Sequence, residues 1–422
     1  MKVIEQNHRV GYFDYIMAHL RKRYVQENVI KSLTFSPVVG ILGHRQVGKT
    51  TLCETIVSNE ESASYVTLDS KKNRIMAQEQ PEQFLKTHKA KLFVIDEAQK
   101  SPDLFDEIKD VVRLNKRPGQ FLLTGSIRFT SKKTIRESLT GRILYHELLP
   151  FTVSEILHQP VPKIVRTLMQ SKHLEGWLSL LPQKAEAAKM RTIKEYEQRG
   201  GLPGVFSIRN DAVRKQKIND QLMTILDRDL REVFKTTLSF KEISGLLTQL
   251  SLIEGQMFSY SDLQKKTGIP RATIKNLIVA FESLFLIRTL PVQGGKKGFV
   301  IYFEDQGECR FLNQARPESY YARAGVIYRN LRAELFYDNA NPFEFFYYQT
   351  KHNATMPICI NWLGSTLAVL PLQEQVASHK EIMAAQSFLK KYEYSKVILL
   401  HPEAKTKLFS ERIVQLPEHM VF

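Results

Sequence analysis

The chain has 422 residues, 43% hydrophobic and 25% charged, which excludes wholesale disorder and fibrous repeats and suggests roughly three domains at about 150 residues each. Sixty Lys and Arg against 44 Asp and Glu leave a net charge of +16, which admits a polyanion such as nucleic acid without demanding one. No apolar run approaches the ~18 residues of a membrane span, so no membrane partner is expected.

Cys53, Cys309 and Cys359 are odd in number and match no metal spacing, so neither a disulfide framework nor a zinc site is expected and the setting reads as cytoplasmic. The opening Met1-Lys2-Val3-Ile4-Glu5 turns polar too soon for a secretory leader.

The first predicted element is a buried strand over Pro37–Leu42. It is followed by Gly43-His44-Arg45-Gln46-Val47-Gly48-Lys49-Thr50 and a helix starting at Thr50-Thr51. The octapeptide fits G-x-x-x-x-G-K-[ST] in the strand–loop–helix context that a phosphate loop requires. Glycines let the backbone approach phosphate closely, and the loop amides with the helix N-terminus make a positive nest. Lys49 adds a point charge on the phosphates, and the Thr50 hydroxyl is a candidate ligand for Mg²⁺. Residues 43 to 51 (Gly43, His44, Arg45, Gln46, Val47, Gly48, Lys49, Thr50 and Thr51) are therefore the expected ATP site. Arg45 is expected to meet a partner or flanking acids, or else phosphate.

Tyr65–Asp69 is the second strand. The third, Lys91–Ile95, ends in Asp96-Glu97. There Asp96 would hold Mg²⁺, directly or through water, and Glu97 would polarise the attacking water as a general base. A helix over Pro102–Leu114 carries Leu104, Phe105, Ile108, Val111 and Val112 on one face. The strand Gln120–Ser126 ends in small polar residues. If it lies between the two motif strands, Thr124 or Ser126 could position water as a sensor; otherwise they merely begin a loop. A last strand, Arg142–His146, makes Arg142 a candidate catalytic arginine, acting in cis or as a finger across a subunit interface, or else a surface arginine at a helix–strand junction. Alternating strands and helices imply an α/β fold, a parallel sheet with helices on both faces. The strand between the two motif strands and the acid after Asp96 point to the additional-strand branch of P-loop ATPases, which includes the AAA proteins.

Residues 151–240 read as a helical region with a turn at Gly200-Gly201-Leu202-Pro203-Gly204. In Asp227-Arg228-Asp229-Leu230-Arg231 the charges suit a solvated helix face or an interdomain ion-pair network, with the first favoured. Residues 241–310 change character. A capped short helix with a Gly268 turn precedes a helix with Ile274, Leu277, Ile278, Phe281, Leu284 and Phe285 on one face, and then a hairpin around Gly294–Gly298. That is a winged-helix pattern. Ser259–Phe303 holds seven Lys/Arg and two acids. Arg271, Lys275 and Asn276 could meet a groove of double-stranded DNA, with Lys296 and Lys297 on phosphates. A protein-binding module is the alternative.

Together these residues resemble a family of prokaryotic AAA-type ATPases with an appended winged helix and a C-terminal nuclease-like domain. The resemblance rests on Gly43–Leu52, Val94-Ile95-Asp96-Glu97-Ala98-Gln99, Leu123-Thr124-Gly125-Ser126, Glu137–Arg142, Gly200–Pro203, Asp227–Arg231 and Ile301–Asp305. His44 stands where the family often has Pro. The resemblance implies an α/β nuclease-like domain over 311–422, after the ATPase domain at 1–150. It also implies metal-binding carboxylates, of which Glu334 could match the first. Thr355-Met356-Pro357 and Leu370-Pro371-Leu372-Gln373 stand where the others belong, and Glu344 is the only acid from Asn339 to Gln373. A degenerate domain without nuclease activity is expected, with Glu334 in a structural pair.

The expectation is a Mg²⁺-dependent, ATP-hydrolysing protein whose nucleotide state controls the winged-helix region. A non-hydrolysing ATP switch or scaffold acting through protein contacts is the alternative. DNA, a protein and further copies of the chain are the candidate partners.

Overall fold

The computed structural model describes residues 21–88, 90–129, 141–171, 173–179, 181, 187–296, 298–314, 320–338 and 342–422. Helix α1 (Val25–Leu33) leads into β1 (Val38–Leu42), and α2 (Lys49–Ser58) follows the glycine-bounded loop. Then come β2 (Ala63–Thr67), β3 (Leu92–Asp96), α3 (Leu104–Leu114), β4 (Phe121–Gly125) and β5 (Ile143–Glu147). These five strands form one parallel sheet in the order β2-β3-β4-β1-β5. β1, β3 and β4 are buried along their whole length, which matches their unbroken apolar runs. The α/β sheet expected from the sequence is present, and β4 does lie between β3 and β1.

The middle of the chain is helical. Helix α4 (Asp211–Thr224) runs through a π-helical turn, Ile225–Asp229, into α5 (Leu230–Val233). A π-turn within a helix is uncommon and concentrates at functional sites. After α6 (Phe240–Leu252) come β6 (Met257–Phe258), α7 (Tyr260–Thr267), α8 (Arg271–Ser283), β7 (Ile287–Gln293) and β8 (Phe299–Phe303). β8 pairs antiparallel with both β6 and β7. The period-2 pattern of β8 divides two cores: Val300 and Tyr302 join the C-terminal one, whereas Ile301 and Phe303 join the one beneath β1 and α8.

Helices α9 (Gln306–Leu312) and α10 (Tyr320–Tyr337) lead to a further α/β unit. It comprises β9 (Phe343–Gln349), β10 (Thr355–Trp362), β11 (Ser365–Pro371), α11 (His379–Lys391), β12 (Ser395–His401), β13 (Lys407–Ser410) and β14 (Ile413–Pro417). Because β7 pairs parallel with β9, these strands and the hairpin make one nine-stranded sheet.

A buried ion network fastens the first sheet to β7 and α10. Glu147, at the end of β5, meets Arg128 at 3.1 Å, Arg332 at 2.5 Å and Arg288; Glu304 meets Arg288 at 2.8 Å and Arg332 at 2.5 Å. Burial raises the Glu147 pKa, but Arg288, Arg332 and Arg128 outweigh it and hold the carboxyl at about 2. Arg288, one of the seven Lys/Arg counted in Ser259–Phe303, is thus half-buried and held by two carboxylates. Glu147→Ala should remove the carboxylate that Arg128, Arg288 and Arg332 share and leave Arg288 and Arg332 both on Glu304, costing about 3–5 kcal/mol. A clear drop in Tm checks this, and an unchanged Tm would contradict it.

Candidate nucleotide site

The chain leaves β1 at Gly43, whose amide donates to the Gly125 carbonyl at 3.2 Å. A Cβ on Gly43 would stand 2.4 Å from the Leu148 carbonyl oxygen, and Gly48 has φ +97°. Glycine is needed at both positions, one for space and one for left-handed backbone. Lys49, only 5% exposed, begins α2 and donates to the Gly43 and His44 carbonyls at 2.9 and 3.0 Å. Burial pulls its pKa down, and Glu97 and Asp96 oppose that pull.

Asp96 ends β3 and accepts hydrogen bonds from Thr50 Oγ1 at 2.9 Å, Tyr65 OH at 2.9 Å and Thr124 Oγ1. Thr124 also accepts from the Glu97 amide at 3.0 Å. Glu97 itself is left-handed, φ +57°, an uncommon conformation for a non-glycine residue. Ser126 Oγ donates to Glu97 Oε2 at 3.0 Å. Lys49, Thr50, Asp96, Glu97, Thr124 and Ser126 therefore gather at the carboxyl ends of β1, β3 and β4. A hydroxyl and a carboxylate are the oxygen donors Mg²⁺ prefers, and amides with a buried ammonium suit a triphosphate. The residues fit both groups.

Other loop residues face inward. Val47 is buried, as is His44, whose Nε2 lies 3.1 Å from Glu308 Oε2. Burial lowers the His44 pKa, but the Glu308 carboxylate outweighs it and the net shift is upward. Any part these two play in phosphate binding is through the backbone. Gln46 and Thr51 are exposed. Arg45 Nε pairs with Asp229 Oδ2 at 3.0 Å, and Arg228 Nε with Asp229 Oδ1 at 2.9 Å. The flanking-acid expectation for Arg45 is met, while the favoured solvated face for Asp229 is not: this carboxylate is 5% exposed and ties the loop to the π-turn.

Arg142 is the clear departure. It precedes Ile143, which registers with Val38 at the start of β1, whereas Leu42 at the loop end registers with Glu147. Five residues at about 3.3 Å each put Arg142 roughly 16 Å of strand away from the phosphate end. The cis role fails for that reason. Glu137 to Thr140 and Lys297 lie outside the described residues.

Two neighbours were not predicted from the sequence. Tyr65 looked like ordinary strand filler, and Gln99 stood only as part of a motif. Gln99 is 2% exposed and donates to Glu97 Oε2 at 2.5 Å and to Ser126 Oγ at 3.1 Å. A polar residue two places after the Asp96-Glu97 pair was the available signal.

The family model described as an AAA domain matches residues 35–157. This region has an AAA-type P-loop ATPase fold. A second model, a domain of unknown function (DUF8612), matches residues 190–318. The uncharacterized protein Rv2008c of Mycobacterium tuberculosis is 22% identical over 417 residues, covering 95% of this chain and 85% of that protein. The uncharacterized protein MJ1544 of Methanocaldococcus jannaschii is 25% identical over 316 residues, 72% of this chain and 68% of that one. Among solved structures, AMPPCP-bound DnaA from Aquifex aeolicus aligns at 14% identity and a TM-score of 0.26, over 61% of this chain and 86% of that chain. The fold assignment rests on the strand order and the loop, not on this alignment.

Elsewhere, among the described residues, no cluster of His, Cys, Asp and Glu could hold a metal, and no helix is long and apolar enough to cross a membrane. Glu334 is 3% exposed and accepts from the Val165 amide at 2.7 Å. Burial pushes its pKa to about 8, with Asp338 adding to the rise and the Val165 and Arg166 amides and the Arg166 charge opposing it. The folded state then holds a proton that the unfolded chain has lost, so stability falls as pH rises from about 4.5 through 8. Glu334→Gln should match wild type in Tm at pH 5 and exceed it at pH 9. Parallel Tm curves would contradict the assignment.

Proposed function

We propose that the chain is a Mg²⁺-dependent ATPase whose nucleotide state governs a winged-helix region that engages DNA or a protein. The convergence of Lys49, Thr50, Asp96 and Glu97, with Thr124 between them, carries this reading. Lys49 would hold the β- and γ-phosphates, and Thr50 and Asp96 would hold the metal. Mg²⁺, when bound, offsets charge developing on the phosphate oxygens. Glu97 would orient a water in line with the γ-phosphate and take its proton, and Thr124 would keep the two acids in register. Steady-state phosphate release from MgATP, with and without DNA, tests the reading.

We divide the chain into an ATPase domain (1–150), a helical region (151–240), a winged helix (241–310) and a degenerate nuclease-like domain (311–422). The order α6-β6-α7-α8-β7-β8 supports the third, and the placement of Glu334 against Val165 supports an end without nuclease chemistry. Communication would run from Arg45 to Asp229 and through α5, which packs against α8. Arg142, remote from its own loop, would act on phosphate only between copies of the chain.

For DNA, the candidate face is α8, where Arg271, Lys275 and Asn276 are exposed. Arg271 is steadied by Gln264 at 3.1 Å, and the Lys275 ammonium lies 5.3 Å from the Tyr260 ring centre. Lys296 bonds to Asn353 at 2.7 Å, which places it beside the β9–β10 turn. A fluorescence titration of duplex DNA across salt should give a log–log slope near −3.6 if Arg271, Lys275, Lys296 and Lys297 meet about four phosphates. Replacing Arg271 and Lys275 with alanine should flatten it by about 2. A flat wild-type slope would leave a protein as the partner.

A further inference from the structure

The geometry points to Gln99 as the residue that positions the general base, by clamping one oxygen of Glu97 and leaving the other for water. This rests on the ATPase reading above. Glu97, Ser126 and Gln99 close a three-membered ring of hydrogen bonds. Ser126 Oγ donates to Glu97 Oε2 at 3.0 Å, Gln99 Nε2 donates to the same oxygen at 2.5 Å, and Gln99 Nε2 also donates to Ser126 Oγ at 3.1 Å. The ring has one consistent proton arrangement. A carboxylate only accepts, so the serine proton goes to Glu97 and the Ser126 lone pair takes the second amide N–H. That assigns the Gln99 amide orientation from chemistry.

Both donors converge on Oε2, and no hydrogen bond of this ring uses Oε1. The backbone serves the same end. Glu97 is held at φ +57°, with its amide on Thr124 Oγ1 at 3.0 Å. Gln99 is the middle residue of the one-turn 3₁₀ helix Ala98–Lys100 that follows Glu97. A left-handed residue and a tight turn thus fold the chain back so that position 99 reaches the side chain of position 97. Gln99 also lines a cavity of about 530 Å³ with Arg74, Gln78, Lys100, Arg228 and Glu232. Gln99 thus shares that wall with Arg228, the π-turn residue next to Asp229.

A clamp fixes the angle at which Glu97 meets water and leaves nucleotide contacts alone. The full chain is compared as wild type, Gln99→Leu, Ser126→Ala, the double variant, and Gln99→Leu in a Glu97→Gln background. Turnover is read from phosphate release and binding from a fluorescent ATP analogue. Gln99→Leu should lower kcat about 10- to 100-fold while the analogue's Kd stays within about twofold of wild type. Ser126→Ala acts on the same oxygen, so the double variant should lose less than the product of the single losses. In the Glu97→Gln background, Gln99→Leu should change nothing. Ser126→Ala carries the test alone if Gln99→Leu does not fold. Wild-type kcat in both single variants, multiplicative losses, or a Kd that worsens in step with kcat would overturn the clamp while leaving the ATPase reading intact. Absence of turnover in the wild type would overturn the ATPase reading, and the clamp with it.

Discussion

Replacing Lys49 with alanine removes ATP binding at working nucleotide concentrations. Lys49 is the first residue of α2, and its ammonium sits inside the loop on the Gly43 and His44 carbonyls. A charge-assisted hydrogen bond contributes about 1.5–3 kcal/mol. Losing two to phosphate oxygens costs about 3–6 kcal/mol, or roughly 10²- to 10⁴-fold in Kd. The alanine also removes the ammonium that bridges the Gly43 and His44 carbonyls, so the cradle loses definition as well as charge. Titration with a fluorescent ATP analogue measures the effect. Binding within a few-fold of wild type would place the phosphates elsewhere.

The second large effect separates binding from chemistry. Glu97→Gln keeps the shape at the end of β3 and keeps an oxygen to accept from Ser126, but an amide cannot take a proton from water. Turnover should fall about 10²- to 10⁴-fold, the range of general-base contributions. Binding should persist, because Lys49, Thr50 and Asp96 keep their places. Wild-type turnover in this variant would remove Glu97 from the mechanism.

The parts of the site that lie within one strand and its adjoining loop were legible in the sequence. Gly43 to Thr50 carries its geometry locally, and Asp96 and Glu97 are marked by the apolar run before them. The placement of Thr124 came from a strand expected between the two motifs. What was not legible depends on residues far apart in the chain. Asp229 reaches Arg45 across 184 positions, and no local pattern distinguishes a buried helix carboxylate from a solvated one when Arg228 and Arg231 flank it. Arg288 counted toward the basic excess of Ser259–Phe303 because its counterions, Glu147 and Glu304, lie outside that stretch. Arg142 was a candidate, beside a plain surface arginine, by its place before a strand, but parallel register sends the start of a strand away from the phosphate loop. The pairing of β7 with β9 merges strands that the sequence had assigned to separate units, since register between distant strands has no sequence signature of its own.

The central claim is that MgATP is turned over at this loop. The most direct measurement is phosphate released per chain over time by the purified protein, with Mg²⁺ and with excess EDTA. The account predicts many phosphates per chain with Mg²⁺, a rate that collapses with EDTA, and the same collapse in Glu97→Gln. One ATP held per chain, with no phosphate released at any Mg²⁺ concentration, would contradict it and make the protein a nucleotide-bound switch.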